Sequence, residues 1–479
     1  MDAVALSDLT LNIYSWNVSG GVEDVSNLSS WITFASEMPD VIVIGLQEII
    51  ELSATNIIGS AIAGSGLTVE RAAQWNDNIS LYLEQVAVER SHLSSVNVRG
   101  EAKFYSIISS SFMVGLNLTI FCSKYLLTNI QNIQTGSIPR GSKNLLGNKG
   151  ALCARLAIYD TSICFVCAHF QAHQNNVAGR NDDYVNIISK DVFVDNESVS
   201  LPHEASAAKN AKAVDFISLN KELLLLKREL FVKSKNSSQL APSVSKMNHS
   251  HKTKSSYSLL SGNMISNALE LSSYLPFNST LPAARRKSMD DSVGAQPSNS
   301  TFSVKDHDVI FWFGDLNYRI EQGPDLPELY NMIENKLYSE LCRYDQLTTE
   351  RMAGNVFHGF LEGSLAFPPT YKYIPNTNNY DKSLEGKLRR PSYCDRILYL
   401  LNNEEFLRSS IPLVPPGVLD ERLLRIRRRS NQMELYSLEK CGMAAPIAER
   451  VRLVDYTDCP NSLSDHKPVR ASFVLSVKS

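Results

Sequence analysis

Four apolar runs stop on residues that can do chemistry. LNIYSWN ends at Asn17, DVIVIGLQE at Gln47 and Glu48, SICFVCAHF at His169, and DVIFWFGDLN at Asp315 and Asn317. A polar group at the end of an apolar strand sits at the rim of a sheet, rigidly supported and within reach of solvent. One such ending is ordinary. Several together, carrying carboxylate, amide and imidazole groups, predict one shared site. The oxygen donors among them suit a hard cation, and Mg2+ typically takes one or two carboxylates, waters and a substrate phosphate. Zinc is not expected, because no Cys/His pairs stand at zinc spacing. Further on, NSLSDHKPV puts Asp465 beside His466 just before another apolar run, a short base or orienting unit.

Phosphate is one ligand the remaining polar motifs allow, a solvated basic surface being the other reading. GNKG at 147–150 offers two glycines, Asn148 and Lys149, so backbone N–H groups and one cation can approach an anion. RNDDY adds Arg180, PTYKY adds Tyr371 and Lys372, and GKLRRPSYCDR adds Lys387, Arg389, Arg390 and Arg396. There is no GxxxxGK[ST] loop, no cysteine with arginine six positions on, and no GxSxG elbow. Covalent catalysis through Ser or Cys is therefore disfavoured, and metal-assisted attack by water fits better.

The elements that must hold these groups are short runs rich in Val, Ile, Phe and Tyr, including LTIFCS, GALCARLAIY, CDRILYL and VRASFVLS. They read as strands, several buried on both faces, and the helical patterns between them make the class α/β or α+β. In SICFVCAHF, Cys164 and Cys167 read as core fillers rather than a redox or zinc pair. The chain has 479 residues, 43% hydrophobic, with 47 basic against 50 acidic side chains, a net charge of −3. A wholly disordered chain is excluded, and the charge balance disfavours a globally basic nucleic-acid binder while leaving room for a local basic patch. Residues 234–303 differ from the rest. They hold 19 serines, with seven Lys/Arg against three Asp/Glu, a local charge of +4, and are expected to be disordered. Before them, Phe216, Leu219, Leu223, Leu226 and Leu230 predict a helix over 205–233. The ordered chain then comprises 1–232 and 304–479. No run is long and apolar enough to span a membrane, and the first residues lack a signal-peptide pattern, so a reducing, cytosolic setting is expected.

Taken in order, WNVSGG, PDVIVIGLQEI, GNKGALCARL, CAHFQAH, RNDDY, FWFGDLNYRI, FPPTYKY, RRPSYCDRILY and SDHKPVRASF resemble the inositol polyphosphate 5-phosphatase family, itself similar to the magnesium-dependent endonuclease and sphingomyelinase superfamily. The resemblance covers about 10–184 and 305–475, and the combination of GDLNYRI, PTYKY and CDRIL is its specific part. It implies a four-layer α/β sandwich of two packed mixed sheets flanked by helices. It implies Mg2+ held by Glu48 with Asn17 close by, and water oriented or deprotonated by Asp315. It gives Asn317, His169, Asp465 and His466 to the phosphoryl group, with Asp395 buttressing His466. Asn148, Lys149, Arg180, Tyr184, Tyr371, Lys372 and Lys387 would read the other inositol phosphates. This chain departs from the pattern in Tyr393, where the family usually has Trp before CDR. It also carries a longer loop bearing Arg140 and Lys143, the Ser-rich insertion, and a second insertion at about 402–455.

The implied activity is hydrolysis of the 5-phosphate of phosphoinositides, such as phosphatidylinositol 4,5-bisphosphate, or of soluble inositol polyphosphates. It would act in the cytoplasm at an anionic membrane surface. An abasic-site endonuclease of the same superfamily is the alternative, opposed by PTYKY and by the net charge, since duplex binding usually needs a basic face. A non-catalytic phosphoinositide-binding scaffold is opposed by the intact Glu48, His169, Asp315, Asp465 and His466.

Overall fold

In the computed structural model, residues 6–34, 37–51, 66–93, 104–140, 149–194, 301–321, 323–382, 389–402 and 450–478 are described. They belong to one unit, 1–197 with 299–479. In chain order the strands are β1 Leu6–Asn17, β2 Val41–Gln47, β3 Tyr105–Met113, β4 Leu116–Ser123, β5 Ile130–Arg140, β6 Lys149–Ile158, β7 Thr161–His169, β8 Asp191–Val194, β9 Thr301–Ser303, β10 Val309–Asp315, β11 Leu361–Glu362, β12 Asp395–Leu401, β13 Val451–Asp458 and β14 Val469–Lys478. The helices used below are α1 Gly66–Leu93 and α2 Val177–Ile188.

Two six-stranded sheets form, ordered β13-β14-β1-β2-β4-β3 and β11-β12-β10-β7-β6-β5. Each is mixed: β1 runs parallel to β2 and β7 parallel to β10, and the other neighbours pair antiparallel. Strand alternation explains the layers. Phe311 and Phe313 of β10 enter a core between the sheets, joined by Phe165, Ile13 and Val43. Their neighbours Ile310 and Trp312 face outward, where Tyr184 and Ile187 of α2 cover them. On the far side of the other sheet, Tyr14, Trp16 and Ile44 meet Trp31 and the α1 residues Trp75, Ile79 and Leu83. Every residue of β2 and β10 is thus buried on either face. The expected four-layer sandwich is present.

The same alternation settles the cysteine pair. Three residues apart on β7, Cys167 points into the inter-sheet core and Cys164 into the outer one, both as free thiols. Gly314 is required beside Asp315: its φ is +139°, and a Cβ there would lie 1.9 Å from Ala168 O of β7.

Two expected boundaries shift. Residues 301–303, read as part of the disordered stretch, form β9. It pairs antiparallel with β8 from Asp191↔Ser303 to Val194↔Thr301, because Thr and Phe at 301–302 suit a pleated surface, and Arg155 of β6 stacks 4.5 Å over Phe302. Residues 451–455, read as the end of the second insertion, begin β13 on β14. The helix expected at 205–233 and residues 195–300 lie outside the described residues, as do 403–449.

Behind the strand ends, Arg396 of β12 is fully buried. Its Nε and Nη2 donate to the two oxygens of Glu362 at 2.6 and 2.8 Å, and its Nη1 to Asp345 at 2.8 Å. Arg351 joins at 2.8 Å. Removing one member of a buried network leaves an uncompensated charge, a loss of about 3–5 kcal/mol. Glu362→Ala is expected to lose about that much in denaturant unfolding, and a change within 0.5 kcal/mol or so would contradict it.

Candidate active site

Register brings the polar strand ends to one rim. In one sheet Asn17 pairs with Gln47, so Glu48 follows immediately beyond the edge. In the other, Asp315 pairs with His169 on one side and with Asp395 on the other, and Gly150, next to Lys149, pairs with His169. Gln47 turns into the core, where its Nε2 lies 3.3 Å from Ser15 Oγ and 3.4 Å from Cys167 Sγ. Glu48 then takes a left-handed backbone, φ +53°, and its carboxylate is a quarter exposed. Asn317 does the same at φ +57°. Non-glycine residues in this region cost of order 1–2 kcal/mol and cluster at functional sites.

Asp315 is the centre. Its Oδ2 accepts from Asn17 Nδ2 at 3.0 Å and lies 3.2 Å from His169 Nε2 and 3.9 Å from His466 Nε2. Its Oδ1 accepts from the Asn317 backbone N–H at 3.0 Å. His169 Nε2 also approaches Glu48 at 3.7 Å and contacts Lys149 Nζ. His466 is fixed from behind: its Nδ1 meets Asp395 Oδ2 at 2.9 Å, and Asp395 accepts in turn from Thr370 Oγ1 at 2.7 Å. Its backbone is held by Trp16 Nε1, donating to its carbonyl at 2.9 Å, and by Ser464 Oγ, which accepts from its N–H at 3.2 Å and donates to Asn17 O at 2.7 Å.

The charges follow from these contacts. Burial pushes the His466 pKa down, but the Asp395 and Asp315 carboxylates outweigh burial and raise it to about 10. Burial alone would raise Asp315. The His466 charge, then His169 and Lys149, hold it well below the usual carboxylate range. Burial lowers the pKa of Lys149 against the pull of Glu48 and Asp315.

Among the described residues, Asp315, Asp395 and His466 bring ligand-type atoms within 4.8 Å of one another. With both ring nitrogens protonated, His466 has no lone pair to give a metal, so this trio is better read as an imidazolium held between two carboxylates. The quarter-exposed Glu48 carboxylate and, behind it, the buried Asn17 amide oxygen, which also accepts from Ser19 N–H at 3.1 Å, are oxygen ligands that fit a hard divalent cation.

The structure therefore brings together Asn17, Glu48, Lys149, His169, Asp315, Asn317, Asp395 and His466. Tyr371 joins them, with its ring centroid 4.5 Å from that of His466. The Asp465 carboxylate stands half-buried beside the site and accepts a long bond from Ser464 Oγ at 3.4 Å. Lys372, on the next hairpin position, pairs with Asp381 at 3.3 Å. Asn148 and Lys387 lie outside the described residues.

Two assignments are corrected. Arg180 is fully buried, and its Nη groups donate to the carbonyls of Gln171, His173 and Gln174 and to Gln346 Oε1 at 2.6 Å. It clamps the segment that follows His169 rather than presenting a free cation to substrate. Tyr184 packs between Trp312 and Phe357 in the outer core. The lengthened loop's Arg140 is bound to Asp182 and Asp183. Tyr393 is buried and donates to Phe367 O at 3.0 Å.

Sequence reasoning missed Arg319. It is buried, donates to Asn317 O at 3.0 Å and to Asn317 Oδ1, and stacks 4.5 Å from the Tyr371 ring. With Asn317 Nδ2 donating to Phe170 O at 3.1 Å, this fixes which way the Asn317 amide points.

Comparison with known proteins agrees. The chain is 25% identical over 403 residues to "Synaptojanin" of Caenorhabditis elegans, covering 80% of this chain and 24% of that protein. It is 25% identical over 414 residues to "Type I inositol polyphosphate 5-phosphatase 8" of Arabidopsis thaliana, covering 82% of this chain and 65% of that protein. It thus spans less than two thirds of either relative. The fold is shared with a crystal structure of the inositol polyphosphate 5-phosphatase domain of SPsynaptojanin, in complex with inositol (1,4)-bisphosphate and calcium ion. That match has a TM-score of 0.55 at 20% identity, over 99% of this chain and 86% of that one. The Endonuclease/Exonuclease/phosphatase family 2 pattern matches residues 14–224 and 263–472, most of the chain, which is therefore a member of that family.

Proposed function

We propose that this protein is a Mg2+-dependent phosphoric monoester hydrolase that removes the 5-phosphate from phosphoinositides or soluble inositol polyphosphates. The observation that carries this is the placement of an ionised Asp315 between His169 and His466, with Asn17 and Glu48 at the mouth. The names of its relatives support the substrate class. Glu48 and Asn17 are the residues to hold magnesium, which when bound supplies positive charge to the phosphoryl oxygens. Asp315, held ionised and weakly basic, orients the attacking water more than it deprotonates it. The His466 imidazolium, kept charged by Asp395, and His169 with Lys149 stabilise charge as it develops on the phosphoryl group. Asn317 offers its remaining amide hydrogen to the same oxygens. Tyr371 and Lys372 read the other ring phosphates, a role the resemblance also gives to Asn148 and Lys387. A panel of phosphoinositides in vesicles tests it. Members with a 5-phosphate should lose it and those without should be left intact. Attack on a 3- or 4-monophosphate would overturn the assignment.

The Ser-rich insertion is the proposed membrane contact, and the setting proposed is cytoplasmic and peripheral. Its +4 charge favours an anionic surface by up to about 1 kcal/mol per basic residue near the lipid. Replacing 234–300, the part of this insertion that precedes β9, by a short flexible turn is expected to keep the fold and the turnover of a soluble substrate while weakening binding to anionic vesicles. Unchanged vesicle binding would leave the segment a spacer.

A further inference from the structure

The hairpin that carries Lys372 is sewn along the segment that ends in His466. Lys467 N–H donates to Thr370 O at 2.8 Å, Tyr373 N–H to Asp465 O at 2.9 Å, and Asn376 N–H to Ser462 O. The hairpin closes on itself: Asp381 N–H donates to Lys372 O and Ile374 N–H to Asn379 O, each at 2.9 Å. The Tyr373 and Tyr380 rings stack at 4.3 Å. These bonds fix its base and middle.

Its tip is held by the Asn376 bond to Ser462 and by one buried side chain. Lys467 is 3% exposed. Its Nζ donates to Asn378 Oδ1 at 2.6 Å, on the exposed tip, and to Asn461 O at 2.7 Å, and lies 4.7 Å from the Tyr373 ring centroid. Asn461 is itself pinned, donating to Glu23 Oε1 at 2.7 Å and Ser30 Oγ at 2.8 Å and accepting from Leu463 N–H at 2.9 Å. Among the described residues no carboxylate oxygen comes within ion-pair distance of Lys467. An ammonium buried on neutral acceptors is costly, and burial lowers its pKa against the pull of the Asp458 carboxylate, which lies beyond ion-pair distance. Packing alone would be served better by an apolar side chain of the same length.

We infer that Lys467 is a specificity-positioning residue: gripping Asn378 and lying against the ring of Tyr373, the neighbour of Lys372, it ties the hairpin to the Asn461 turn so that Lys372 meets a phosphate adjacent to the one removed. This rests on the proposed reading of Lys372.

The experiment compares steady-state kinetics on a 4,5-bisphosphorylated and a 5-monophosphorylated inositol lipid of the same chain length. Lys467→Met keeps the stem and removes the ammonium. It should raise KM on the bisphosphate roughly tenfold, the size of one or two lost charge-assisted hydrogen bonds. Turnover number should stay within about threefold, and the monophosphate kinetics should barely move. Lys467→Arg should restore most of the loss. In a Lys372→Ala background Lys467→Met should add little, since two residues acting through one contact are non-additive. Asn378→Ala, at the exposed tip, should shift KM the same way by less and remains available if Lys467→Met fails to fold. An equal fall in turnover on both lipids would mean that Lys467 acts on the adjacent His466 and would overturn the inference. Full additivity with Lys372→Ala would overturn it too. If Lys372→Ala itself harms both lipids equally, the reading of Lys372 fails and the inference falls with it.

Discussion

Asp315→Asn is expected to lower turnover by about 10²-fold or more in saturating magnesium with the fold intact, as removal of a positioned charged group at a reaction centre does. Asn fits the same space, but its single oxygen can accept from the Asn317 N–H or from Asn17 Nδ2, not from both, and its NH2 faces the other donor. What it removes is the negative charge that faces His169 at 3.2 Å and His466 at 3.9 Å. Glu48→Ala should cost a similar factor by a different route, because Glu48 is the partly exposed carboxylate at the mouth. Titration separates the two: the Glu48 variant should need more magnesium, and the Asp315 variant should stay slow at any concentration. Near-normal turnover in either would remove that residue from its assigned role.

Asp395→Asn is the second large effect. The Thr370 hydroxyl and the shape of the site survive, but His466 loses the carboxylate that does most to hold it protonated. Turnover at neutral pH should fall by about 10²- to 10⁴-fold, the range between losing one charge-stabilising group and neutralising an orienting carboxylate behind a catalytic histidine. The sign of the pH effect follows. In the wild type the imidazolium persists until pH approaches about 10. Without Asp395 that pKa falls, so the alkaline limb of the pH–rate profile should move to lower pH. A profile that kept its alkaline limb would show that His466 does not act as a cation.

The fold was largely readable because strands buried on both faces leave uninterrupted apolar runs, as in DVIVIGLQE and DVIFWFGDLN, and their ends mark the rim. Asp395 was harder: it opens β12 rather than ending a strand, so the resemblance alone pointed to it. Arg180 and Tyr184 were misread although a signal existed. With Asp183, Ile187 and Ile188 they fall at helical spacing on the buried face of α2, which places them in the outer core rather than at the mouth. Arg319 and Lys467 gave no such signal. Each is a cation two residues or fewer from an assigned group, and only the tertiary contacts with Asn317, Tyr371, Asn378 and Asn461 give it a task. β9 was hidden because the serine content of its surroundings outweighed a three-residue strand whose partner lies over a hundred residues away.

The most direct test of the account follows phosphate release from inositol 1,4,5-trisphosphate, with the product's regiochemistry read by phosphorus NMR, in magnesium and again after chelation. The account predicts inositol 1,4-bisphosphate and inorganic phosphate in magnesium, and essentially no release once the metal is removed. Release from the 1- or 4-position, or an undiminished rate in chelator, would contradict it.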